Sequence, residues 1–300
     1  MRSFGWFMVL ILGALTAMAA LTYPAWLWLH PHFSFPFHRI ADRIGMLALA
    51  LGCVLLARRL HLTDRATLGY GAPRALFLRE LLVGFSLGAP LMALVIAIMV
   101  ALDLRVLRSG LTLDPATLAR IAALGLLRGF AVALLEETFL RGAMFSAIAS
   151  ESGTRLAVLL TAVIYAATHF VGQYHIPAAQ VSWHSGLDML AGALQSFAHP
   201  LAIADAFLCL FAVGIVLGVV RALTGHIGAC IGLHASWVWV ITFVRETSVA
   251  NVHSPLAPLL SHFDGVVGWL VLAWTVCLGF VLYLFYARRA RALTLQNRGG

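Results

Sequence analysis

Lysine is absent: all twenty basic residues are arginine. Charge of either sign is scarce, at 11% of 300 residues, against roughly 25% in an ordinary soluble domain. Hydrophobic types make up 62%, more than a water-soluble fold of this size can hide. The same shortage of polar residues excludes a disordered chain. Cysteine is sparse too. Cys53, Cys209, Cys230 and Cys277 all lie inside apolar stretches, with no CxxC and no closely spaced histidine, which excludes a disulfide frame or a zinc knuckle. HExxH, GxSxG, a Gly-x-Ser-Gly turn and a GxGD-type aspartyl pair are all missing. Those absences remove the standard zinc-binding helix and any clearly placed serine nucleophile.

What remains is a chain whose solvent is lipid. Its mean hydropathy is +0.94. Eight apolar runs stand out, at about 4–29, 40–57, 81–102, 121–149, 156–171, 201–220, 227–244 and 266–286. A span needs about 20 apolar residues, and backbone in lipid must bond to itself, so each run is expected to be a helix. The expected fold is all-α: one integral-membrane domain over 1–300, a polytopic bundle of about eight transmembrane helices. The fourth run is too long for one span and is expected to include an interfacial lead-in before Gly129. The first run has a signal-peptide reading, with Arg2 ahead of it and Ala17-Met18-Ala19 within it. It continues apolar to Leu29, which favours a retained helix.

The net charge of +8 and pI near 10.0 do not point to nucleic acid, because the arginines flank apolar runs instead of lining one stripe. Counted loop by loop, Arg2, Arg58, Arg59, Arg65, Arg74, Arg79, Arg155, Arg221, Arg288, Arg289, Arg291 and Arg298 collect on one side. Arg39, Arg43, Arg105, Arg108, Arg120 and Arg245 collect on the other. The bias predicts both termini in the cytoplasm of a multi-pass protein, in the inner membrane for a bacterial chain. The loop 172–200 then lies outside the membrane, where Trp183 and its apolar neighbours suggest an interfacial helix or a cap. His175, His184 and Asp188 in that loop are set aside as a metal set, on the reading that no two sit at helical ligand spacing. Small-residue pairs at Gly84/Gly88, Gly214/Gly218 and Gly228/Gly232 are read as helix packing.

The fourth run carries Arg128, Glu136, Glu137 and Arg141. At about 2.5–3.5 kcal/mol for each ionisable group in a span, their summed cost is on the order of 10 kcal/mol. That rivals a protein's whole stability, so pairing must recover much of it. Glu137 and Arg141 are one turn apart in the favourable order and can neutralise each other. Glu136 points about 100° away, with Leu140 at its i+4 position, and so lacks a local cation. A carboxylate in that setting suits a general base. His169 and His234 also sit deep in apolar runs. At 1.5 Å per residue Glu136, His169 and His234 lie about 18, 20 and 12 Å from the cytoplasmic ends of their runs. Two acids, two histidines and Arg141, on three helices, can therefore share one intramembrane polar chamber.

These residues carry a resemblance. Glu136-Glu137-x-x-x-Arg141, then Tyr165-x-x-x-His169, then His234 resembles the EExxxR, FxxxH and HxxxN/D motifs of the CPBP (CAAX protease and bacteriocin-processing, or Abi) family. That family is related to the type II CAAX prenyl endopeptidase. The likeness covers about 125–244. Tyr165 stands where the family has Phe, and Val238 where it has Asn or Asp. Ser236 and Trp237 are not expected to share the face of Val238.

The resemblance implies an intramembrane endopeptidase acting on a membrane-associated protein or peptide. By it, Glu136 activates water and His169 helps hold or deprotonate that water. Glu137 is fixed by Arg141 and supports the site, and His234 stabilises the oxyanion. It also leaves zinc open as a cofactor, with Glu136, His169 and His234 as the candidate ligands, beside a metal-free glutamate route. Two other readings stand beside the peptidase: a non-catalytic protein of the same fold, serving self-immunity or scaffolding, and an ion-coupled transporter.

Overall fold

Every apolar run forms a helix. The computed structural model describes residues 1–60, 62–112, 114–171 and 174–296, the last five as backbone alone. The first helices are α1 (Arg2–Leu29), α2 (Phe37–Arg59) and α3 (Arg74–Ala101). The fourth run is a single rod of 38 residues, Pro115–Ser152. It comprises α4 (Pro115–Glu137), a π-helical stretch (Thr138–Met144) and α5 (Phe145–Ser152). Then follow α6 (Thr154–Thr168), α7 (Ser185–Ala198), α8 (Ala204–Thr224), α9 (Gly228–Thr247) and α10 (Trp269–Gln296). Seven of these segments are long and apolar enough to span a membrane, and α6, at 15 residues, is a shorter apolar helix. The protein is a multi-pass membrane protein, and leucines such as Leu12, Leu55 and Leu127 face outward where lipid lies.

Two features fall outside the apolar runs. A two-stranded antiparallel ribbon pairs β1 (Arg105–Leu107) with β2 (Ser248–Ala250), in register Arg105↔Ala250 to Leu107↔Ser248. Strands of three residues are too short to show alternation in sequence. Within the loop 172–200, whose first two residues lie outside the described ones, α7 forms and packs on α1. His184 and Asp188 prove to be one turn apart there, Nδ1 to Oδ2 at 2.6 Å, so the reading that denied them helical spacing is corrected. His175 stacks instead on His38, with ring centroids 4.1 Å apart.

The arginines mark two ends of the bundle. At one, the N-terminal amine bonds Glu151, Arg59 lies over Trp6, and Arg289 pairs with Glu80. At the other, Arg108 donates to the carbonyls of Arg245 and Glu246. Arg128 belongs to this second end. It is 56% exposed and pairs with Glu246 at 3.7 Å, so three of the four charges in the fourth run are interior, not four. The lead-in of α4 places it there, starting from an Asp114 cap that accepts from the N–H groups of Ala116 and Thr117. Those bonds, with Thr117 foremost, hold the Asp114 carboxyl below its ordinary range.

The centre of the bundle is α9, whose first ten residues are all buried against α3, α4 and α8. Glycines set these distances. A Cβ on Gly232 would collide with the Leu81 carbonyl, and one on Gly84 would lie 2.5 Å from the Ala229 carbonyl. Gly214 meets Ala162 of α6 in the same way. Gly232→Val is expected to lower the thermal midpoint and the folded yield sharply, because overpacking here must move backbone. Gly13→Val, which meets nothing within 4 Å, is the matched control, expected to behave as wild type. Size-exclusion chromatography and a melt in detergent check both.

Candidate active site

The π-helical stretch begins directly after the two glutamates, and widened turns of this kind recur at functional sites. Thr138 opens it by donating to the Leu134 carbonyl. Arg141 lies within it, and both Glu137 and Arg141 have side chains with no solvent exposure. Glu137 Oε1 accepts from Arg141 Nη1 at 3.0 Å and from His234 Nδ1 at 2.8 Å. Arg141 Nη2 donates to the Gly214 carbonyl at 3.2 Å, and its guanidinium stacks 4.9 Å from the Tyr165 ring centre. One carboxylate thus ties α4, α9 and, through Arg141, α6 and α8.

Glu136 sits differently. Its side chain is 31% exposed, with Oε2 at 3.9 Å from His234 Nε2. That oxygen is buried and has no protein hydrogen-bond partner. His169 caps the C-terminal end of α6, and its Nδ1 lies 2.7 Å from the Tyr165 carbonyl. A carbonyl only accepts, so Nδ1 carries the hydrogen and Nε2 presents a lone pair. Tyr165 joins the two imidazoles, its ring 4.5 Å from His169 and 5.8 Å from His234. All five residues singled out in the sequence therefore occupy one neighbourhood, on the α4–π segment, α6 and α9.

Two cavities meet at this point. One, of about 640 Å³, is lined by Glu136, Thr138, Thr168 and His169 together with apolar side chains of α2 and α4. The other, of about 210 Å³, is lined by Tyr165, His169, His234, Trp237 and Val238 and by residues of α8 and α10. His169 borders both. Trp237 shares this second cavity with Val238, contrary to the expectation from sequence. The helix face 234, 237, 238, 241 brings the two side by side. Ser236 turns away and donates to the Leu233 carbonyl.

Sequence reading missed two contributors. Arg221, counted only as a flanking charge, is 8% exposed, and its Nε donates to the Arg141 carbonyl at 3.0 Å. It braces the π-helical backbone that carries Arg141. Trp237 is 4% exposed, and its indole N–H is buried without a partner. An arginine at a helix end and a tryptophan in an apolar run carry no sequence signal for either role.

Residues 118–240 match the family described as Type II CAAX prenyl endopeptidase Rce1-like. The chain is a CPBP/Rce1-like protein. The matched Rce1-like stretch runs from the first turn of α4 into α9, and contains Glu136, Glu137, Arg141, His169, His234 and Val238. Helices α1 to α3 and α10 lie outside it. The Rce1-like family is a protease family whose members act within membranes, and at that level this chain is a CAAX-type intramembrane protease. Neither the curated proteins nor the solved structures yield a match. Zinc finds no ready ligand set: among the described residues no three His, Cys, Asp or Glu side chains stand together as a group that could hold a metal ion. Glu136, His169 and His234 are neighbours without converging on one point.

Proposed function

We propose that this Rce1-like protein hydrolyses peptide bonds of membrane-associated substrates with water activated by Glu136 and His169. The observation that carries the reading is the junction of the two cavities. There a carboxylate oxygen without a partner, an imidazole lone pair and His234 Nε2 face shared space. Water bound between Glu136 and His169 attacks the carbonyl carbon, and its proton passes to the carboxylate. The tetrahedral oxyanion faces His234 Nε2. With Nδ1–H committed to Glu137, Nε2 donates only as imidazolium. One arginine against two carboxylates leaves one negative charge, which that added proton neutralises. A donor preset for developing charge in a water-poor site is worth about 2.7–4 kcal/mol of barrier. The Glu136 proton then goes to the leaving amine and the C–N bond breaks.

No step is routed through a metal in this scheme, and full activity in excess EDTA is the expected result. Both termini, which share one end of the bundle, are proposed to face the cytoplasm. The test is purified protein in nanodiscs with a pool of apolar membrane peptides, products read by mass spectrometry. Fragments from wild type and none from Glu136→Gln support the scheme, and equal fragments from both refute it.

Val238 carries a second prediction. It lines the cavity one turn beyond His234, where an amide would add a donor. Val238→Asn is expected to raise turnover about tenfold, since one added transition-state hydrogen bond of about 1.4 kcal/mol is a factor of ten. Steady-state rates on any peptide cut in that pool check it.

A further inference from the structure

The smaller cavity does not end at the histidines. It continues along α9 past Ile241 and Thr242 to Arg245, where Asp264 closes the far wall. Arg245 is the one arginine among its lining residues. We propose that this cavity holds the carboxyl-terminal side of a peptide and that Arg245 anchors the peptide's free terminal carboxylate. The proposal rests on the peptidase reading above and adds to it a substrate class, chains cut near a free C-terminus.

Three observations support this. First, Arg245 is held in place yet open. Asp264 pairs with its Nη2, while the other oxygen of Asp264 accepts from the backbone N–H groups of Val266 and Val267 at 2.8 Å. Arg245 itself remains 49% exposed at the cavity mouth, and a guanidinium has five N–H donors in a fork that matches a carboxylate. Second, the rim is cationic beyond that pair. Arg105 feels Arg245 and Arg108 as like charges and Asp264 as the opposite one. Glu246, the other acid on this turn, is turned to Arg128. Third, the length suits a short peptide. His234 and Arg245 are eleven residues apart on one helix, about 16 Å. Allowing for the reach of the arginine, that is about three to five residues of extended chain. The walls between are apolar, from Met92, Val213, Val271 and Leu278, so the segment held there is apolar except for its terminal charge.

The experiment uses full-length Glu136→Gln protein in nanodiscs, so that bound peptide is not cut. The probes are apolar heptapeptide pools synthesised as free acids or as C-terminal amides, with oleate as a separate carboxylate. Binding is read by equilibrium dialysis and mass spectrometry. The expected result is at least tenfold tighter binding of the acids than of the amides, lost in Arg245→Gln and partly kept in Arg245→Lys. Equal binding of acid and amide, a preference that survives Arg245→Gln, binding of oleate alone, or no binding would each overturn the proposal. Wild-type protein is then given the same acids. Release of C-terminal fragments of about three to five residues joins anchor and cleavage. Binding with the acid preference but no cleavage refutes the peptidase reading and leaves the anchor standing.

Discussion

Glu137→Gln is expected to lower stability by about 3–5 kcal/mol and to abolish hydrolysis. The size follows from burial. Arg141 and Glu137 are both wholly enclosed, and removing the carboxylate charge strands a guanidinium in the bundle interior. The chemistry fails for a different reason: Glu137 is also the acceptor that fixes His234 Nδ1 at 2.8 Å. The two effects separate in a second variant. Glu137→Gln combined with Arg141→Met removes both charges, and is expected to regain most of the stability and none of the activity. Thermal unfolding in one detergent, paired with rates in nanodiscs, measures both. A single variant that loses less than about 1 kcal/mol would mean the pair is solvated, as exposed ion pairs are.

His234→Ala is expected to cut turnover about 100- to 1000-fold while changing KM little, because its role belongs to the oxyanion and not to the bound substrate. The imidazole is 2% exposed, and its loss leaves a cavity that costs some stability, so a melt accompanies the rates. His169→Ala is expected to lose a similar factor, since it removes the lone pair beside Glu136. Losses in the double variant should fall well short of the product of the two, as they do for residues acting in one step. Strict multiplication would place the histidines in separate events.

The parts legible in the sequence were those that a local pattern encodes. Lipid permits only self-bonded backbone, so each apolar run became a helix within a few residues of its expected limits. Glu137 and Arg141 four residues apart met as expected, and Glu136 pointed elsewhere for the same geometric reason. Other features depend on contacts between distant segments. Nothing around Thr138 announces a π-helical stretch; it is held by Arg221 from α8 and by the Gly214 carbonyl facing Arg141. The end of α6 at Thr168, short of the apolar run's expected limit at 171, is a tertiary effect. Backbone beyond it is tolerated at depth because it borders a cavity and packs on protein, as Phe170 does at 1% exposure. Arg128 misled in the opposite direction, since apolar sequence around it hid the fact that α4 begins outside the span.

The central claim is that Glu136 activates water for peptide hydrolysis inside the membrane. The most direct test compares the termini of membrane proteins, by mass spectrometry, in cells producing wild type or Glu136→Gln at equal, folded levels. The account predicts new C-termini with wild type only. When labelling is done in heavy-oxygen water, each new carboxyl should carry one oxygen from solvent. Identical termini in both cells, at good coverage, would contradict it and favour a non-catalytic role for the fold.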